Sequence, residues 1–170
     1  HICLGGHHPI AFPFEAASLP EFDSIVVGEG EIAFTELVKR IEDKKPFTDI
    51  LGVYTNESIK KYRKTTLKDK RFLNKVTVPP AYVDDIDSLP MPNRNYIKQY
   101  NYNSVVGVSS KLATLISSRG CPYKCTFCDI PFKTHRRRDP KLVVDEMETC
   151  VAQGYGEIHF YDDLFNITPR

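Results

Sequence analysis

Apolar positions along the chain recur at two periods, and the switches between them outline its elements. His1-Ile-Cys-Leu4 is a short strand-like run that ends in Gly5-Gly6 and is followed by His7-His8-Pro9. Pro13 to Leu19 is a short helix candidate, and Ser24-Ile-Val-Val27 is a second apolar strand. Gly28-Glu-Gly-Glu31 turns that strand into a helix whose predicted buried face is Phe34, Leu37, Val38 and Ile41, at i, i+3, i+4 and i+7. Lys44-Lys45-Pro46 ends the helix, and Ile50 to Tyr54 reads as a further strand turned by Thr55-Asn56. Strand and helix alternate here as in the closing part of a doubly wound α/β domain.

The same alternation returns near the other end. Leu112-Ala-Thr-Leu-Ile116 is a strand, and Gly120 and Pro122 punctuate the turn after it. Asp139-Pro140 reads as a helix cap and first residue, with Val143, Met147, Cys150 and Val151 on one predicted apolar face. Gly154 closes that helix, and Glu157-Ile-His-Phe-Tyr161 alternates as a second strand. Strand, long loop, helix and strand make a βαβ unit and predict a parallel sheet. Between the two halves, Pro79, Pro80, Pro90 and Pro92 mark a connection of low helical content, in which Tyr96, Tyr100 and Tyr102 are expected to pack against one half or the other. The expected division is residues 1–50, a hairpin and proline-rich linker over 51–104, and residues 105–170, in the α/β class.

Net charge narrows the field of partners. With 23 Lys and Arg against 22 Asp and Glu, the chain offers no bulk electrostatic argument for nucleic acid or membrane. Seven of the twelve residues from Lys60 to Arg71 are basic, a run that suits RNA phosphates or, as favoured here, a solvated surface hairpin. No apolar run approaches the ~20 residues of a membrane span. Five cysteines are an odd number, three of them grouped, which argues against a disulfide framework and for a reducing compartment, the cytoplasm. Cys150, on the apolar helical face, is expected to be a buried small hydrophobe. A βαβ unit of two strands cannot close a barrel, so the sequence reads as a fragment of a longer protein.

The grouped cysteines carry the chemistry. Cys121, Cys125 and Cys128 stand at Cys-x3-Cys-x2-Cys in Ser117-Ser-Arg-Gly-Cys-Pro-Tyr-Lys-Cys-Thr-Phe-Cys128, with no fourth cysteine at ligand spacing. Thiolates hold zinc or iron–sulfur clusters, and zinc wants a fourth ligand. His135 lies outside the usual zinc spacing, so a four-iron cluster with one open iron is favoured over a zinc knuckle or three unrelated thiols. The loop follows a strand, the place where α/β barrels put their active sites. On it, His135-Arg-Arg-Arg138 is either a solvated loop or a source of one arginine for an acidic ligand group.

The cysteine stretch together with Glu157-Ile-His-Phe-Tyr-Asp-Asp163 resembles the radical S-adenosylmethionine (SAM) enzymes, in wording closest to their cobalamin-dependent branch. The resemblance implies that Cys121, Cys125 and Cys128 hold a 4Fe-4S cluster whose open iron binds SAM, that Phe127 lies beside the adenine, and that Asp162 or Asp163 meets the SAM ammonium. An electron delivered by a donor such as flavodoxin or ferredoxin would cleave SAM to a 5′-deoxyadenosyl radical that attacks a small-molecule substrate. Gly5-Gly6-His-His and Val26-Val-Gly-Glu-Gly-Glu31 resemble the last third of a cobalamin-binding domain. On that likeness Gly5, Gly6, Gly28 and Gly30 border the corrin and His7 meets its edge. The implied fold is the end of a Rossmann-like cobalamin domain followed by the first strands of a partial (β/α) barrel, and the implied reaction is methyl transfer. Cobalamin-dependent cyclisation or rearrangement is one alternative among enzymes, RNA methylthiotransferases, which carry an iron–sulfur domain in place of Gly5-Gly6-His-His, are another, and a non-catalytic electron-transfer protein is the alternative of a different class.

Overall fold

The structure, a computed structural model of the chain, describes residues 1–64, 78–100, 102, 104–128 and 130–167. They form a mixed α/β arrangement in two compact units. The first comprises His1–Asp84 with Phe127–Lys133, and the second comprises Asp85–Thr126 with Thr134–Arg170. Of the basic run, residues 65–71 fall outside the described residues.

In the first unit β1 (Cys3–Leu4) pairs parallel with β2 (Ser24–Val26), and β3 (Val53–Tyr54) pairs antiparallel on the other side of β2. β2 is buried along its whole length, as a central strand of β-branched residues should be. Its side chains alternate between two apolar layers. Ile25 and Val27 pack with Ala16, Ala17 and Tyr54 beside the short helices α1 (His7–Ala11) and α2 (Pro13–Ala16). Val26 faces Ala33 and Leu37 of α3 (Gly30–Glu42). The α3 stripe differs from the predicted one: Ala33 and Leu37 are buried and Ile41 partly so, whereas Phe34 and Val38 are exposed. A row at i, i+4 and i+8 meets the sheet, and the apolar residues one position further round miss it.

Within the expected hairpin and linker over 51–104, β3 and the extended stretch at residues 78–83 group with the first unit. That stretch runs beside the end of β2, where Ala81 N donates to Val27 O at 2.8 Å and Glu29 N to Ala81 O at 3.0 Å. The buried Glu29 carboxylate then accepts from Val83 N at 2.7 Å. These bonds tie the chain to the first unit as far as Asp84, so the connection between units begins there. The passage is close enough to require a missing side chain. Gly28 has φ +101°, and a Cβ on it would stand 2.2 Å from Ala81 O.

In the second unit β4 (Leu112–Leu115) pairs parallel with β7 (Glu157–Phe160), from Leu112 opposite Glu157 to Leu115 opposite Phe160. α4 (Pro140–Ala152) begins at the predicted Asp139 cap, whose side chain accepts from Lys141 N at 2.8 Å, and the helix is followed by Gly154 at φ +80°. Its Val143 and Cys150 pack on Ala113, Leu115 and Tyr155, with Met147 partly buried beside them. Val151, predicted on that face, is exposed, and the charged Glu146 is buried instead. Tyr96, Tyr100 and Tyr102 are exposed rather than buried in either unit.

Candidate functional site

The carboxyl end of β4 is held from several directions. Beyond the paired residues, Tyr161 N donates to Leu115 O at 2.9 Å. Asp162 then reaches across to the chain leaving β4. Its Oδ1 accepts from Ser117 N at 2.7 Å, and its Oδ2 accepts from the hydroxyls of Ser117 and, at 2.8 Å, Ser118. Asp163 Oδ2 accepts from Gly120 N at 2.8 Å. A carboxylate accepting several hydrogen bonds is a strong, directional anchor. Both aspartates therefore meet the same loop; the extended strand ends at Phe160, so the side-to-side alternation of a strand no longer applies to them.

Two short strands close the base of the loop. β5 (Ser118–Arg119) pairs antiparallel with β6 (Arg136–Arg137), a pairing that the sequence pattern does not announce. Arg138 N donates to Ser117 O at 2.9 Å. Cys121 follows Gly120 directly and is buried, while the residues from Pro122 to Phe127 are exposed, Phe127 at 91%. Cys125 is exposed and Cys128 half-buried, and all five cysteines are free thiols. Cys121 and Cys125 count with the second unit and Cys128 with the first. Among the described residues no three His, Cys, Asp or Glu side chains are gathered as a metal site. The donor set nevertheless suits an iron–sulfur cluster: three unpaired thiols within one short loop. Metal binding couples to the folding of such a loop and gathers ligands that are apart without it.

Behind β4 lies a buried ion network that sequence reading misses. Arg94 donates to Glu146 Oε1 at 2.6 Å and to Thr114 O at 2.9 Å. Arg138 donates to Glu146 Oε2 at 2.5 Å and to Ile116 O at 3.1 Å. The carbonyls from Thr114 to Ser117 thus all receive donors, and Arg138 is committed to the protein's own interior. The signal is present in the helical period: position 146 lies between Val143 and Cys150 on the same stripe.

The glycines of the first unit divide into two kinds. A Cβ on Gly5, Gly6 or Gly30 would meet nothing within 4 Å, so these three border open space. Gly28 does not, because Ala81 fills the place of its side chain. His7 is exposed at the start of α1, and the ring of His8 beside it is 3.6 Å from Glu15.

No protein-family model matches the chain. Over 99% of its length it is 26% identical to an uncharacterized methyltransferase of Pyrococcus horikoshii, of which it covers 34%. It is also 26% identical, over 89% of its length, to the cobalamin-dependent radical SAM methyltransferase TokK of Streptomyces tokunonensis, covering 21% of that protein. The chain thus spans about a third or less of the curated relatives it matches. In fold it resembles the radical SAM methyltransferase TsrM of Kitasatospora setae, solved with tryptophan substrate and a SAM analogue bound. The TM-score is 0.63 and the identity 24%, over 97% of this chain and 30% of that one.

Proposed function

We propose that the chain takes part in reductive SAM cleavage and methyl transfer to a small-molecule substrate, a reading supported by its similarity over 99% of its length to an uncharacterized methyltransferase and over 89% to a cobalamin-dependent radical SAM methyltransferase. The observation that carries this reading is Cys-x3-Cys-x2-Cys on the loop that leaves β4 of a parallel βαβ unit. In this reading Cys121, Cys125 and Cys128 hold a 4Fe-4S cluster, which when bound supplies the electron for SAM cleavage. The exposed Phe127 ring offers a stacking face to the adenine. Asp163, exposed and holding Gly120 N with one oxygen, offers a carboxylate to the SAM ammonium. Residues 1–84 form part of a cobalamin-binding unit, with Gly5, Gly6 and Gly30 leaving room for the corrin and His7 at its edge. Residues from Asp85 onward contribute the first strands of a radical SAM core. An electron donor of the flavodoxin or ferredoxin kind completes the system.

Anaerobic reconstitution of the full-length protein tests the reading. Wild type should hold one four-iron cluster whose electron paramagnetic resonance signal changes on adding SAM. Alanine at Cys121, Cys125 or Cys128 should abolish SAM cleavage, while Cys150→Ala leaves iron content unchanged. A cluster indifferent to SAM would return the protein to simple electron transfer.

A further inference from the structure

We infer that Asp162 is a positioning residue for the cysteine loop and not itself a SAM ligand, an inference that rests on the function proposed above. Its two carboxylate oxygens already accept three hydrogen bonds from Ser117 and Ser118, all from the chain that leads into Cys121. Asp163 continues the grip at Gly120, whose φ of +81° sends the chain into the loop. From Ser117 to Gly120, then, the backbone is pinned by the end of the neighbouring strand. The β5–β6 pairing and the bond from Arg138 N to Ser117 O hold the same segment from the other side. The consequence is visible in the thiols: Cys121, next to the pinned segment, is 9% exposed, whereas Cys125, four residues on, is exposed. One ligand therefore leaves from a fixed point and the loop beyond it is left to close around the metal. A carboxylate with three of its about four acceptor sites turned to the loop in this way is committed first to holding that loop.

The test reads thiol reactivity in the metal-free full-length protein, with iodoacetamide as probe and Cys150, buried in the core of the second unit, as the internal monitor of global unfolding. Asp162→Asn, which puts an amide donor where the loop's donors point, should speed alkylation of Cys121 by about tenfold, the effect of losing one charged hydrogen bond. Cys150 should keep its wild-type rate. An unchanged Cys121, or a parallel rise at both thiols, overturns the inference. If Asp162→Asn does not fold, Ser118→Ala removes one of the donors and should still raise Cys121 reactivity selectively; no change there is equally fatal. A second arm uses reconstituted protein and SAM. A positioning residue predicts that Asp162→Asn lowers iron content and alters the cluster's resonance before SAM is added. A variant with a wild-type cluster that has lost only its response to SAM would make Asp162 a SAM ligand and overturn the inference. A wild-type protein that takes up no cluster would defeat the functional reading, and the thiol rates would still decide the role of Asp162.

Discussion

Glu146 stands on the buried stripe of α4 and satisfies two arginines, Arg94 at 2.6 Å and Arg138 at 2.5 Å. Such a triad is weak evidence of net stability, since an apolar replacement of all its members can do as well, but removing one member strands the others. Glu146→Ala is expected to destabilise the protein by about 3–5 kcal/mol, because the buried Arg94 would lose its anion while Arg138 would keep only Asp87, 3.9 Å away. The measurement is the urea midpoint at constant slope; a loss below about 1 kcal/mol would mean that water or another carboxylate replaces Glu146. At this scale the sequence is half legible. The period puts position 146 inside, and nothing local can say that its partner Arg94 lies 52 residues away. Gly28 shows the opposite failure: a glycine at a strand end suggests room for a ligand, and the structure uses that room for Ala81.

Single strands and helices are legible where their reasons are local. The Asp139-Pro140 start of α4 and the parallel β4–β7 pair follow from capping chemistry and from the need of a βαβ unit to cover its sheet. β5–β6 and the passage of residues 78–83 beside β2 are not, because two-residue pairings and isolated bridges leave no period to read. The β4–β7 unit also carries a pH dependence. At the amino end of β7, Glu157 Oε2 accepts from Ser109 N at 3.0 Å and Val108 N at 2.8 Å, and Oε1 meets His159 Nε2 at 2.7 Å. The Ser109 amide, foremost, and then His159 and the Val108 amide hold the Glu157 carboxyl below its ordinary pKa. A depressed carboxylate stabilises the fold above its unfolded pKa, about 4.3, and the contribution is lost as pH falls through the folded value. Glu157→Gln should therefore melt earlier than wild type at pH 6 to 7, with the two melting temperatures converging as pH falls below about 4. A gap that persists unchanged into acid would assign the effect to shape and not to charge.

At the scale of the whole molecule, the two units have separate cores and the relatives they match are about three times as long or more. The alternation of strand and helix discloses both halves, but it does not disclose that β3 and residues 78–83, within the expected hairpin and linker, group with the first unit. The functional reading asks residues 1–84 to hold the corrin and the loop from Cys121 to Cys128 to hold the cluster, so a change confined to one cofactor should be separable from the other. Gly5 is the position at which to make it. Gly6 sits at φ +88°, where any side chain is strained, so a loss of binding there would mix ligand and backbone effects. Gly5 has no such constraint, and a Cβ on it meets nothing within 4 Å. Gly5→Leu should accordingly leave the melting temperature within about 2 °C of wild type, the ordinary range of a surface substitution. If the corrin approaches the backbone at Gly5, the same variant of the full-length protein should bind cobalamin at least about tenfold more weakly, the equivalent of about 1.4 kcal/mol of obstruction. Its reconstituted cluster should keep both its iron content and its response to SAM. Equal cobalamin affinity in the two proteins would remove Gly5 from the corrin site, and simultaneous loss of the cluster would show that the units do not act separately.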